Sequence, residues 1–176
     1  SENGFDTTLI SGPTNLKINT NVNLIKVDTA DEMLEATLNN LPTDVAIFSA
    51  AVADFKVKNK NKEKIKKKNI TELSLEKNTD ILNHISNHNS LRPKLVIGFA
   101  AETRDLEENA QKKLIEKNCD WIVANDVSND SIGFDSDFNE VSIFYKDKSF
   151  KNEKLAMKKK SEISEEITDR VIKQLN

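Results

Sequence analysis

The stretch "KLVIGFAAETRDLEENAQKKLIEKNCDWIVAND", Lys94 to Asp126, contains the pattern from which the fold can be read. It opens with "KLVIGFAAE", a short apolar run with no alternation, as expected of a strand covered on both faces. "TRDLEENAQKKLIEKN" follows with helical spacing, and Leu106 and Ala110 define its core-facing stripe. "DWIVAND" is a second apolar run of strand length. Strand, helix and strand in this order form the unit of a parallel sheet.

Working outward, the same alternation recurs. Upstream, "TTLISG" (Thr7 to Gly12) and "NLIKVDT" (Asn23 to Thr29) read as short strands separated by a turn at "GPTN". "TADEMLEATLNNL" is a helix with Thr29 as N-cap and Glu32 three residues on. Its apolar face is Ala30, Met33, Leu34, Leu38 and Leu41. "DVAIFSA" is too continuously apolar to be half exposed, so a buried strand is expected. A lysine run comes next, with lysine at every even position from Lys56 to Lys66, then an alternating strand "TELSLEKN" and a short helix "TDILNHISNH" capped by Thr79. Downstream, "NEVSIFYKD" is a strand, the segment after it points to an antiparallel addition at one edge, and "SEISEEITDRVIKQL" is a terminal helix with Ser161 as cap. The expected architecture is α/β: a Rossmann-like, mostly parallel sheet with helices on both faces. Neither an internal repeat nor an interdomain linker divides residues 1–176.

Composition narrows the function. With 176 residues, 37% hydrophobic and 31% charged, the chain suits one globular domain with a sizeable core. No apolar run approaches the roughly 20 residues that a bilayer requires, so no membrane role is expected. The single cysteine, Cys119, excludes an internal disulfide framework and fits a reducing, cytoplasmic setting. The two histidines, His84 and His88, stand four apart in a polar segment without a third soft ligand, and read as surface residues, not a zinc site. A net charge of −3 argues against general nucleic-acid binding.

In parallel α/β sheets, ligands bind at the carboxyl ends of the strands. Here those ends are "SAAVAD", "GFAAET" and "VANDVS", each with small residues followed by polar ones that let a ligand approach the backbone. One such loop would reflect tight packing alone; three together favour a ligand. Lys113 and Lys117 add a second signal, because both fall on the core-facing stripe of Leu106 and Ala110. Lysines four apart repel and are not buried unpaired. Spacing alone leaves two readings open: the side chains extend past the sheet edge, or that end of the helix faces an anion. Missing motifs also count. There is no GxxxxGK[ST], GxGxxG or GxSxG, and four glycines build no dinucleotide-type phosphate loop.

Taken together, "ISGPTNL", "TADEM", "SAAVADF" followed by "EKIKK", "LEKNTDIL", "VIGFAAET", "KKLIEKNCDWIVANDVS", "IGFDSDFNEV" and "KKKSEISEEITDRV" resemble the phosphopantothenoylcysteine synthetases, phosphopantothenate–cysteine ligases of coenzyme A biosynthesis. The resemblance covers essentially the whole chain. It implies a dimeric, Rossmann-like ligase that uses CTP and Mg²⁺ to join 4′-phosphopantothenate and L-cysteine through an acyl-cytidylate. In bacteria this enzyme usually forms the C-terminal half of a bifunctional protein, after a flavin-dependent decarboxylase; no flavin is expected in this chain.

By the same resemblance, Phe48, Ser49, Ala50 and Asp54 belong to the nucleotide site, as do Glu76, Lys77, Asn78 and Thr79 of "EKNT" and Phe99 of "GFAAET". Lys113 and Lys117 match nucleotide-site lysines of the family. Lys64 of "EKIKK" matches the flap lysine that reaches the reacting carboxylate and phosphate, so it is the expected catalytic group. The resemblance names no metal ligands. One departure stands out: family members begin with a strand and a glycine-rich loop, whereas this chain opens at "SENGFDTTLISGP". The expectation is a ligase domain lacking its first βα unit and inactive alone. The alternative is a truncated, non-catalytic module that only binds nucleotide or dimerises.

Overall fold

The computed structural model describes residues 4–16, 21–59, 72–127 and 136–175. Its centre is the unit quoted above. Strand β6 (Leu95–Glu102) lies parallel to β7 (Trp121–Asp126), and α3 (Leu106–Glu116) connects them. On the far side of β7, β8 (Phe138–Tyr145) and β9 (Glu153–Lys159) add in antiparallel register, the edge addition expected from the sequence. On the near side, β3 (Val45–Phe48) pairs in parallel with β6. The sheet order is therefore β3-β6-β7-β8-β9.

Alternation along β6 and β7 explains why these strands read as unbroken apolar runs. Leu95, Ile97, Trp121 and Val123 enter one core with Val141, Ile143, Tyr145 and Leu155. Helix α4 (Lys160–Leu175) covers that face with Ile163, Ile167 and Val171, spaced i, i+4, i+8. Val96, Ala100, Ile122 and Ala124 point the other way, against Ala110 and Leu114 of α3. Helices thus cover both faces. On the α3 side the packing is close at Gly98, where a Cβ would meet Leu82 Cδ2 at 2.7 Å and Ile122 Cδ1 at 2.9 Å. Leu82 belongs to α2 (Ile81–Ser86), so Gly98 is the notch that seats α2 on the sheet.

Two small sheets complete the description. β1 (Thr8–Ser11) and β2 (Asn23–Lys26) pair with each other, and β4 (Phe55–Val57) pairs antiparallel with β5 (Leu75–Lys77). Helix α1 (Ala30–Asn39) carries the expected capping box: Glu32 N–H donates to Thr29 Oγ1 at 3.2 Å, and Thr29 N–H donates to Glu32 Oε2 at 3.0 Å.

Five details differ from the expectation. β3 is an edge strand with Ile47 51% exposed, because its second edge has no partner among the described residues. β1 and β2 run parallel, so a turn at "GPTN" alone does not account for their connection. β5 is shorter than "TELSLEKN", and its partner β4 lies in a segment that the lysine pattern obscured. The cap of α2 is Asp80, whose side chain accepts from Asn83 N–H at 2.9 Å, not Thr79. Helix α4 starts at Lys160, directly from β9, which places Ser161 inside the helix; Glu162 reaches back to Lys159 N–H at 3.0 Å.

The amino ends of β6 and β7 are held by one hydrogen-bonded cluster. Arg92 donates to the Asp120 carboxylate (3.0 and 3.1 Å), to Asn118 O (3.0 Å) and, through Nε, to Ser86 O (2.8 Å). Asp120 also accepts from Val96 N–H at 2.7 Å. Asn118 ends α3 with a left-handed φ of 52°, a conformation asparagine tolerates at a helix C-terminus. This end of the sheet is closed by its own side chains, which leaves the carboxyl ends for chemistry.

Candidate functional site

At the carboxyl end of β3, Phe48 is half-buried against the α3-side core, and Gly98 is its register partner on β6. Ser49 and Ala50 follow, exposed. The loop then reaches Ala53 and Asp54, where Asn78 fastens it: Asn78 N–H donates to Asp54 O and Asn78 Nδ2 donates to Ala53 O, each at 2.8 Å. This brings "SAAVAD" and "EKNT" together. The exposed Asp54 carboxylate remains beside the loop, and Asn78 Oδ1 is buried with no hydrogen-bond partner among the described residues.

The β4–β5 pair forms a stalk from this junction. Lys56 on β4 binds both oxygens of Asp31 on α1 (2.7 and 2.8 Å) and stands 3.8 Å from Glu76 on β5. The hydrogen bond to Asp31 holds the Lys56 ammonium above its usual pKa. Lys77 is exposed opposite Phe55, and Thr79 is exposed just before the α2 cap. Lys64 lies outside the described residues, as does the end of "VANDVS".

The two lysines that spacing singles out, Lys113 on α3 and Lys117 at its C-cap, both have carboxylate partners. Neither is free. Lys113 Nζ lies 2.6 Å from Glu102 Oε1, at the carboxyl end of β6. Lys117 pairs with Asp80, the cap at the start of α2. The backbone oxygen of Lys117 accepts from Ser86 at the other end of α2, so its side chain lies along that helix. The Lys113 ammonium is thereby held at the carboxyl end of β6, and that of Lys117 at the start of α2. Phe99 is not brought onto this face: it follows Leu95 and Ile97 and is 37% exposed on the α4 side. Glu102 and Asp80 are the members of the cluster that sequence reasoning missed; their positions beside "GFAA" and "EKNT" were the available signal.

Among the described residues, no three His, Cys, Asp or Glu side chains gather as a metal cage, and no helix is long and apolar enough to cross a membrane. Cys119 is buried in the α3-side core, so its thiol is not presented to a ligand.

A doubly covered, mostly parallel α/β sheet with small-residue loops at the carboxyl ends of its strands defines a Rossmann-like domain. More specifically, residues 1–175 match the model of the DNA/pantothenate metabolism flavoprotein C-terminal domain, and the chain belongs to that family. It is 38% identical over 175 residues to the coenzyme A biosynthesis bifunctional protein CoaBC of Haemophilus influenzae. The match covers 98% of this chain but 42% of that relative, so the chain spans about two-fifths of its length. The crystal structure of the C-terminal domain of a CoaBC protein superposes with a TM-score of 0.73 at 34% identity, covering 96% of this chain and 74% of that one. The DNA/pantothenate metabolism flavoprotein from Streptococcus pneumoniae superposes at 0.76 with 20% identity, over 98% of this chain and 83% of that one, a likeness of fold.

Proposed function

We propose that this chain is the phosphopantothenate–cysteine ligase domain of coenzyme A biosynthesis. The observation that carries the reading is the family match across residues 1–175, supported by the CoaBC relative that aligns with 98% of the chain. In the reaction, a carboxylate oxygen of 4′-phosphopantothenate attacks the α-phosphorus of CTP and pyrophosphate leaves. The amine of L-cysteine then attacks the acyl carbon, the acyl–oxygen bond breaks, CMP leaves with that oxygen, and the amine gives up a proton.

Such a reaction brings a carboxylate up to a polyphosphate, so fixed cations must offset the repulsion. Lys113 and Lys117 serve the nucleotide, Phe48 and the backbone of Ser49 and Ala50 form its floor, and Asn78 fixes the loop that carries Asp54. Glu76, Lys77 and Thr79 flank that junction, and Phe99 approaches from the other face. Lys64 is the cation at the reacting centre. Mg²⁺ bound chiefly by phosphates and water requires only one or two protein carboxylates, and the exposed Asp54 fits that need; the ion would neutralise charge on the phosphates. The setting is the cytoplasm, the assembly a homodimer, and the flavin-dependent decarboxylase a neighbouring domain of the whole protein.

Calorimetric titration of the chain with CTP, ATP and GTP tests the reading. CTP should bind most tightly. Equal affinity for all three, or no binding of any, would sink it.

A further inference from the structure

Lys113 and Lys117 stand one turn apart on α3, and each is held by a carboxylate from a different element. Glu102 is the better-anchored partner of its pair, and Asp80 is fixed independently of Lys117. Glu102 sits in the β6–β7 ladder opposite Asp126, its carbonyl accepts from Val127 N–H at 2.9 Å, and its side chain is only 12% exposed against 42% for Lys113. Asp80 is fixed by capping α2 through Asn83 N–H. A lysine stem has many rotamers, and freezing them on binding costs free energy. Two neighbouring ammonium groups also repel each other. Glu102 and Asp80 offset both effects before any ligand arrives. An ammonium carries three N–H donors, so holding one carboxylate leaves capacity for a phosphate oxygen.

We propose that Glu102 and Asp80 are positioning residues: they hold the ammonium groups of Lys113, at the carboxyl end of β6, and Lys117, at the start of α2, ready for the phosphates of a nucleotide. The inference rests on the nucleotide reading above. Partly exposed pairs of this kind contribute little to stability, so their consequence should be visible in binding.

The sign of the effect decides. A carboxylate close to a phosphate also repels it. If Glu102 merely competed for Lys113, Glu102→Gln would bind CTP more tightly. Positioning requires the opposite: a loss of about tenfold in CTP affinity, the size of one charge-assisted hydrogen bond. Lys113→Gln should lose a similar factor, and the double variant should be no worse than Lys113→Gln alone, because Glu102 acts through that lysine. Asp80→Asn, which retains a capping side chain, should behave likewise through Lys117. Isothermal titration with CTP, with a thermal melt of each variant, provides the readout. Unchanged or tighter binding by Glu102→Gln, or a loss that adds to that of Lys113→Gln, overturns the proposal while leaving the nucleotide site standing. A Lys113→Gln variant that binds CTP like the wild type overturns both.

Discussion

Burial pushes the Cys119 thiol from its ordinary 9.0 up to about 11, and the neighbouring Asp120 charge adds to the shift. The folded chain therefore keeps this proton through a range in which the unfolded chain releases it. The thiol's contribution to stability is complete below pH 9.0 and is lost as the pH rises towards about 11. Urea midpoints measured across that interval should fall more steeply for the wild type than for Cys119→Ala. At about pH 8, iodoacetamide should label Cys119 only when the protein is unfolded; rapid labelling of the native chain would contradict the burial. The candidate site shows what was legible at this scale. The helical period flagged Lys113 and Lys117, but their partners lie 11 and 37 residues away. Long side chains that meet across elements leave no periodic trace, so the pairing with Glu102 and Asp80 is not written in the helical period.

Between elements, the contact that matters most for the site is the seat of α2 at Gly98. Gly98→Ala would drive a methyl into Leu82 and Ile122, which must move. A cost of about 1–3 kcal/mol is expected for such overpacking, together with weaker nucleotide binding, because α2 carries the Asp80 cap at its start and Phe48 is Gly98's register partner. Chemical denaturation and CTP titration of the same variant check both halves; a variant as stable as the wild type would show that α2 has room to lift. The β6–α3–β7 unit was readable because both of its faces are covered, so its strands run without a polar residue from Leu95 to Ala101 and from Trp121 to Ala124. The exposure of β3 was not readable, since an edge strand is defined by the absence of a neighbour. "FKV" of β4 was hidden because three residues carry too little pattern by themselves and their partner β5 lies far along the chain.

Among the described residues of the whole molecule, β1 and β2 form a sheet of their own, and the five-stranded sheet begins at β3. Helix α1, which leads from one sheet to the other, buries none of its residues completely. The single tryptophan, Trp121, offers a way to follow the larger sheet. It lies at the start of β7, buried edge-on against Tyr145, with its indole N–H donating to Gln174 of α4 at 2.8 Å. Its emission is consequently an optical gauge of how α4 sits on the sheet, with one fluorophore and no background from others of its kind. Events confined to the carboxyl ends of the strands should leave that light unchanged, so a colour shift on adding nucleotide would mean that the scaffold itself had moved.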